Sequence, residues 1–126
     1  MTENEISKIA VDAAYTVHRN LGPGLLESSY EACLGYELKK HNLLVEAQKP
    51  LPLIYEDVNL EVGYRIDLMI NRKFIIEVKS VENLNDVHLA QILTYLKLSE
   101  CKLGLLINFN VNLIKDGIKR VINGKL

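Results

Sequence analysis

The sequence predicts a mixed α/β (α+β) fold in which helices flank a central sheet, and three observations support this. Apolar residues recur at helical spacing in two N-terminal segments, from about residue 3 to 20 and from about 25 to 41. Three extended segments follow as in an antiparallel meander, and a further helix then precedes an almost continuously apolar strand. Hydrophobic residues make up 48% of the 126 residues, which suits one domain with more than one buried layer.

The helices are predicted from periodicity and from their ends. Thr2 and Glu5 have the spacing of a capping box, and the glycines and proline of residues 22–24 end the first helix. Residues 83–86 offer caps for a helix from about residue 86 to 98. The predicted buried face of that helix consists of Leu89, Ile92, Leu93 and Leu96.

The strands are predicted from apolar runs bounded by turn signals. Five segments have this pattern, at about residues 44–55, 60–70, 74–79, 103–109 and 117–122. Pro50 and Pro52 cannot donate to a ladder, so the first segment is expected to be an edge strand. A helix joins the third segment to the apolar fourth, and these two strands are therefore expected to run parallel.

The segment from Gly63 to Lys79 organises the rest of the chain, because it reads as two strands with a tight reversal. Alternation predicts an apolar face of Tyr64, Ile66, Leu68, Ile70, Phe74, Ile76 and Val78. The polar face then holds Arg65, Asp67, Glu77 and Lys79. A three-residue loop at residues 71–73 keeps the faces separate and places Asp67 opposite Glu77, whereas a two-residue loop mixes them. We therefore predict the three-residue loop.

Asp67, Glu77 and Lys79 on one face form a group suited to metal chemistry. Two carboxylates can hold Mg²⁺ or Mn²⁺ while leaving most of its coordination shell to water and phosphate. The carboxylate-x-lysine spacing alone carries little information, since it also occurs at Glu37 and Glu100. What distinguishes Glu77 is its apolar strand and the facing Asp67. A solvated polar face is the alternative.

Charge and composition exclude several classes of function. The net charge of −1 and the pI near 6.3 argue against a broad basic surface, so any phosphate contact is expected to be local. Cys33 and Cys101 lack metal-ligand spacing and are expected to be free thiols of a cytoplasmic protein. We expect neither a signal peptide nor a membrane span.

Two further carboxylates, Glu27 and Glu31, lie on one stripe of the second predicted helix together with Leu34 and Leu38. Because this stripe turns apolar, its carboxylates are expected to point toward the sheet. The alternative is that both lie at the exposed N-terminal end, where acidic residues favour the helix dipole. Both interpretations stay open.

Four short motifs stand out along the chain: Gly24-Leu-Leu-Glu27-Ser-Ser-Tyr30, Gly63-Tyr-Arg-Ile-Asp67, Glu77-Val-Lys79 and His88-Leu-Ala-Gln91-Ile-Leu-Thr-Tyr95. With the order of elements, they resemble the PD-(D/E)XK nuclease superfamily and, within it, the GxxExxY proteins. The resemblance covers nearly the whole chain. It implies a single domain over residues 1–126, an α-β-β-β-α-β sandwich with a mixed sheet of about four to five strands. One departure is Ile66, which stands where the superfamily's name has proline.

The resemblance implies a metal site. Asp67 and Glu77 would bind Mg²⁺ or Mn²⁺, with the backbone carbonyl of Val78 as a third ligand. Glu27 resembles the helix carboxylate that completes the site in many relatives, and Glu31 is its rival one turn along.

The resemblance also implies catalytic roles. Lys79 would orient the attacking water and stabilise the charge on the phosphorane. Gln91 and Tyr95 resemble the Gln-x-x-x-Tyr motif of RecB-like nucleases, where they orient the site and the substrate backbone. The alternative interpretation of Gln91 and Tyr95 is that they form a polar helix edge that hydrogen-bonds across the sheet. His88 is expected to be structural.

The implied function is Mg²⁺- or Mn²⁺-dependent hydrolysis of phosphodiester bonds in nucleic acid, with DNA expected ahead of RNA. One alternative is a catalytically inactive nuclease-fold module that binds nucleic acid or a protein partner. Another is a structural or oligomerisation module. No membrane partner is expected, and a homodimer is left open.

Overall fold

Three α-helices, seven β-strands and one short 3₁₀-helix make up the computed structural model, which describes all 126 residues. In chain order they are α1 (Glu3–Leu21), α2 (Glu27–Lys39), β1 (Val45–Pro50), β2 (Leu53–Tyr55), β3 (Val58–Leu60), β4 (Arg65–Ile70), β5 (Phe74–Lys79), α3 (Asp86–Ser99), β6 (Leu103–Asn108), the 3₁₀-helix (Ile114–Gly117) and β7 (Ile118–Ile122). No helix combines the length and the apolar character that crossing a membrane requires.

Two of the helices begin at capping boxes, which satisfy free amide groups of the first turn. The Glu5 N–H donates to Thr2 Oγ1 at 3.2 Å, and the Thr2 N–H donates to the Glu5 carboxylate at 2.9 Å. At the start of α3, the Asn85 N–H donates to His88 Nδ1 at 3.2 Å, and Asn85 Oδ1 accepts from the His88 N–H at 3.1 Å. His88 is therefore a capping residue, which agrees with the structural role expected of it.

A mixed sheet of five strands, in the order β1-β4-β5-β6-β7, confirms the predicted architecture. β1, β4 and β5 are antiparallel neighbours, β5 and β6 are parallel, and β7 closes the far edge antiparallel to β6. The helix α3 connects the two parallel strands, as a parallel pair requires. The predictions for β5 and for a short final strand are both confirmed.

Two predicted strands are wrong in extent. The edge strand predicted at residues 44–55 divides into β1 and β2, and β2 pairs only with β3. The strand predicted at residues 60–70 begins only at Arg65. Positive φ angles of 50° and 67° at Glu56 and Asp57 close the β2–β3 hairpin, as in a two-residue turn. Gly63, with a φ of 81°, turns the chain between this hairpin and β4.

Two hydrophobic cores lie on the two faces of the main sheet. α1 and α2 cover one face, where Ile6, Tyr30 and Leu34 are fully buried. α3 covers the other, where Ile92 and Leu96 are fully buried. The candidate site lies on β4 and β5, toward the end of the hairpin away from its turn, where Glu77 is only 3% exposed.

The buried face of α3 differs from its prediction at some positions. Ile92 and Leu96 are buried as predicted, but Leu89 is 36% exposed and Leu93 is only partly buried. Tyr95 is buried in the α3-side core instead. A tyrosine can do so because its hydroxyl finds a hydrogen-bond partner, described below.

Candidate active site

The strands β4 and β5 separate at their open end. Near the turn, the ladder pairs Leu68–Ile70 with Phe74–Ile76, the register that the three-residue loop predicts. Beyond this ladder, side-chain carboxylates replace backbone carbonyls as the hydrogen-bond acceptors. The Asp67 N–H donates to Glu77 Oε2 at 2.8 Å, and the Val78 N–H donates to Asp67 Oδ2 at 2.8 Å. The structure thus brings the Asp67 and Glu77 carboxylates together, each bound to the other strand's backbone.

The alternation of side chains in β4 breaks at Asp67. Leu68 packs in the core beneath α1 and α2, whereas Ile66 packs in the core beneath α3. Tyr64 also lies against α3, so the prediction that Tyr64 and Ile66 share a face with Leu68 is wrong. The break coincides with Gln48, which stands opposite Asp67 in β1 and has a left-handed φ of 51°. A positive φ is uncommon for a non-glycine residue and departs from extended backbone, so the regular alternation of faces is interrupted at this pair.

Gln48 links a third carboxylate to the site. Its Nε2 donates to Glu31 Oε1 at 2.6 Å and to Asp67 Oδ1 at 3.3 Å. Glu27, the predicted helix ligand, instead accepts from the Ser80 N–H at 3.1 Å through Oε2. Both helix carboxylates therefore point toward the sheet, but only Glu31 shares a donor with Asp67. The sequence does not point to Gln48, because one polar residue in an edge strand is unremarkable without the register.

Burial and mutual repulsion disfavour the charged carboxylates. The pKa of Glu77 is raised to about 8, first by burial and then by the charge of Asp67. Burial is also the main cause that raises the pKa of Asp67 and of Glu31. The charge of the Lys79 ammonium lowers the pKa of Glu77 and of Asp67, but both pKa values remain raised. The site is therefore short of positive charge.

A short hydrogen-bonded chain ties Lys79 to α3. Lys79 Nζ donates to Gln91 Oε1 at 3.3 Å, and Gln91 Nε2 donates to the Tyr95 hydroxyl at 3.3 Å. Gln91 and Tyr95 are one helical turn apart, so both face the sheet. Burial raises the pKa of Tyr95, and the charge of Glu77 raises it next. The structure thus joins Lys79, Gln91 and Tyr95 at the open end of the hairpin.

Tyr30, the last residue of the Gly24–Tyr30 motif, is a structural residue. Its hydroxyl donates to the Gly22 carbonyl at 2.5 Å and accepts from the Leu25 N–H at 3.1 Å. Its ring stacks on Phe109, with a centroid distance of 4.5 Å and an interplanar angle of 6°. Tyr30 therefore fixes the loop that leads into Glu27.

Comparison with known proteins identifies the family of the chain. A model of the PD-(D/E)XK nuclease superfamily matches residues 4–121, almost the whole chain. The chain belongs to the PD-(D/E)XK nuclease superfamily. Members of this superfamily are generally nucleases. Comparison with curated proteins and comparison with solved structures each gave no match.

PD-(D/E)XK nucleases typically use divalent metals, and the side chains present fit such an ion only in part. No group of three or more His, Cys, Asp or Glu side chains is arranged to hold an ion. Two backbone N–H groups and the Gln48 amide occupy oxygens of Asp67, Glu77 and Glu31.

The donor set nevertheless suits a hard cation. Hard divalent ions prefer carboxylate and carbonyl oxygens, and the site offers several carboxylates with a deficit of positive charge. Glu77 Oε1 makes no hydrogen bond, yet every fully buried polar side-chain atom has a partner. This oxygen is therefore within reach of solvent, where an ion arriving from water can meet it.

Proposed function

We propose that the protein is a Mg²⁺- or Mn²⁺-dependent nuclease that hydrolyses phosphodiester bonds in nucleic acid, with DNA expected ahead of RNA. One observation carries the proposal. Asp67 and Glu77 meet at the open end of the β4–β5 hairpin, and Gln91 of α3 accepts a hydrogen bond from Lys79, two residues from Glu77. Anionic oxygen ligands and a cation at one place are the groups that hydrolysis of an anionic ester needs.

Asp67 and Glu77 are the proposed metal ligands, with the backbone carbonyl of Val78 as the third. Of the two α2 carboxylates, we favour Glu31 over Glu27 as the fourth, because Glu31 already shares a hydrogen-bond donor with Asp67. A bound ion would acidify a coordinated water molecule and offset the repulsion between carboxylates and phosphate.

Lys79 acts as a charge-stabilising group. An ammonium has no lone pair with which to take a proton, so Lys79 does not serve as a general base in that form. Its positive charge can orient the attacking water and stabilise the negative charge that develops on the phosphorane. A hydrogen bond to Gln91 limits the positions that the Lys79 ammonium can take, and a hydrogen bond to Tyr95 limits those of the Gln91 side chain. These two are therefore positioning residues for Lys79.

The test is a single-turnover assay with excess protein, with and without Mn²⁺, on single-stranded, duplex and branched DNA and RNA. High protein concentration is needed because a net charge of −1 gives weak electrostatic attraction to phosphates. Glu77→Ala should lose metal binding and nearly all turnover. Glu82→Gln, a change at an exposed carboxylate that follows β5, is the matched control and should cleave as the wild type does.

Two results would overturn the proposal. In one, no substrate is cleaved in Mn²⁺ and the wild type is indistinguishable from Glu77→Ala. In the other, cleavage persists unchanged in EDTA. The first result would favour the inactive binding module, which the same oligonucleotides would then reveal by binding.

A further inference from the structure

A cleft of about 580 Å³ lies at the base of the β2–β3 hairpin, outside the group of residues described above. This volume is within the range of about 300–1,000 Å³ that is typical of small-molecule sites. Pro50, Pro52 and Val62 give it apolar walls, and Asn59 and Glu61 add an amide and a carboxylate. Flat apolar walls with a few hydrogen-bonding groups at the edge suit a planar heterocycle such as a nucleobase.

Tyr64 joins this cleft to the candidate active site. Tyr64 lines the cleft and is 44% exposed. The ring also lies 6.2 Å, centroid to centroid, from that of Tyr95, which is hydrogen-bonded to Gln91. An aromatic face that is half open to solvent beside a phosphodiester site is a surface on which a base can stack.

Arg65 supplies the charge that Tyr64 lacks. It lines the same cleft, is exposed, and lies two residues from Asp67. It takes part in none of the four ion pairs of the molecule, so its guanidinium is free to bind a phosphate oxygen. Glu61 on the same cleft would repel a phosphate, which assigns the base to the apolar interior and the phosphate to Arg65.

We propose that this cleft binds the base of an unpaired nucleotide next to the scissile phosphate, with the base stacked on Tyr64 and the backbone held by Arg65. The inference rests on the proposed nuclease function and names its substrate class: nucleic acid with at least one unstacked base at the cleavage position. In a continuous duplex, both faces of each base are already covered by neighbouring pairs, so no face is available to Tyr64. Stacking also offsets the weak attraction of phosphates to a protein without net positive charge.

The test separates binding from cleavage by using the full chain with Glu77→Gln as the background. Fluorescence anisotropy would measure the affinity for a labelled single strand and for the blunt duplex of the same sequence. Adding Tyr64→Ala should weaken single-strand binding about 5- to 150-fold, the range for losing one base–aromatic stack, and leave duplex binding unchanged. Tyr64→Phe should bind as the background does, because it keeps the ring.

Two controls sharpen the result. Tyr55→Ala removes a more exposed tyrosine, 62% exposed, from the β2–β3 hairpin, and should change neither affinity. An abasic position moved along the single strand should reproduce the loss seen with Tyr64→Ala at one place only. That position would give the register of the strand on the protein.

The outcomes distinguish this proposal from the nuclease function. If Tyr64→Ala weakens duplex and single-strand binding equally, or if no abasic position matters, the base-binding cleft is refuted even where the wild type cleaves DNA in Mn²⁺. If instead Tyr64-dependent binding is observed and no substrate is cut, the cleft stands and the nuclease function fails. A Tyr64→Phe variant that binds as weakly as Tyr64→Ala would also refute stacking.

Discussion

The two ends of the β4–β5 hairpin are built on different principles, although they share the same two strands. Near the turn, the backbones pair directly, and Leu68, Ile70, Phe74 and Ile76 are at most 1% exposed. At the open end, backbone pairing gives way to bonds between N–H groups and carboxylates. The paired end is stabilised by apolar burial, whereas burial disfavours the charged form of the carboxylates at the open end.

The difference between the two ends shows that the fold tolerates unfavourable electrostatics at the open end of the hairpin. The two cores and the ladder supply enough stability for the open end to hold several carboxylates with raised pKa values. A site of this kind gives up stability in the metal-free state for a strong attraction to cations.

Stability of the metal-free protein should fall as pH rises from about 4.5 to about 8. Glu77 has an ordinary pKa of 4.5 when unfolded and a pKa of about 8 when folded, so the folded state binds the extra proton within this window. The stability present below pH 4.5 is lost progressively and levels off above pH 8. For Glu77 alone, the loss is at most about 5 kcal/mol.

The measurement is urea unfolding in EDTA across this pH range. Glu77→Gln should flatten the profile, since an amide does not titrate. Mn²⁺ should stabilise the wild type more strongly at high pH, because protons compete with the ion for the same oxygens. A wild-type profile that rises between pH 5 and 8 in EDTA would contradict the prediction.

Truncation at the paired end should be costly, whereas neutralisation at the open end should not. Leu68→Ala leaves a cavity at a residue that is 1% exposed and should lower the free energy of unfolding by about 2–5 kcal/mol. Asp67→Asn should be neutral or stabilising in EDTA, because it removes one of the repelling charges. It should also abolish stabilisation by Mn²⁺.

Thermal unfolding in EDTA and in Mn²⁺ checks both variants. Ile54→Ala, at a position that is 62% exposed, is the control for a side chain with little burial. If Asp67→Asn destabilises as much as Leu68→Ala, then Asp67 is a structural hydrogen-bonding residue and its proposed role as a metal ligand loses support.

Lys79→Ala should lower turnover by roughly 10²-fold or more, the scale for losing one preorganised charge-stabilising group. Mn²⁺ affinity should be unchanged or slightly higher, because a neighbouring positive charge is gone. Lys102→Ala, at an exposed lysine with the same spacing from a glutamate, is the matched control. Single-turnover rates and calorimetric Mn²⁺ titration separate the two effects, and parallel losses in both would argue against this role.

Gln48→Ala should raise the affinity for Mn²⁺ by roughly 2- to 13-fold, the equivalent of one net hydrogen bond. The Gln48 amide donates to both Glu31 and Asp67, and an ion must displace it. Metal-free stability should fall by about 1–2 kcal/mol, because the amide no longer separates two carboxylates.

Gln48→Gly distinguishes the amide from the backbone. It removes the same side chain but suits the left-handed φ of 51°. Both variants should therefore show the same gain in Mn²⁺ affinity, with Gln48→Gly the more stable. If calorimetry finds weaker Mn²⁺ binding in both, Gln48 supports the ion site rather than competes for it.

Local patterns in the sequence were enough to predict much of this fold. Strand β5 and its register against β4 follow from apolar alternation and from the loop at residues 71–73, and both are confirmed. The capping box at Thr2 was predicted, and Asn85 supplies the cap expected within residues 83–86, because such bonds span only three residues. Interactions of short range are visible in short stretches of sequence.

Several features that depend on contacts between distant segments could not be predicted. Alternation assumes a regular strand, and the break at Asp67 occurs opposite the left-handed backbone of Gln48, which lies nineteen residues away in sequence. The prediction for Tyr64 failed for the same reason. Glu27 and Glu31 could not be ranked as metal ligands either. Which of the two carboxylates lies nearer Asp67 depends on the positions of their hydrogen-bond donors, Ser80 for Glu27 and Gln48 for Glu31.

The backbone amides of Asp67 and Val78 donate to carboxylates rather than to ladder carbonyls. Each amide proton is therefore a reporter of the charge on one carboxylate. In a ¹⁵N–¹H correlation spectrum, the Asp67 amide should shift with the titration of Glu77, whose pKa is about 8, and the Val78 amide should follow Asp67. An ion that takes those oxygens would move both resonances at a fixed pH, so that occupancy of the site could be followed without any substrate.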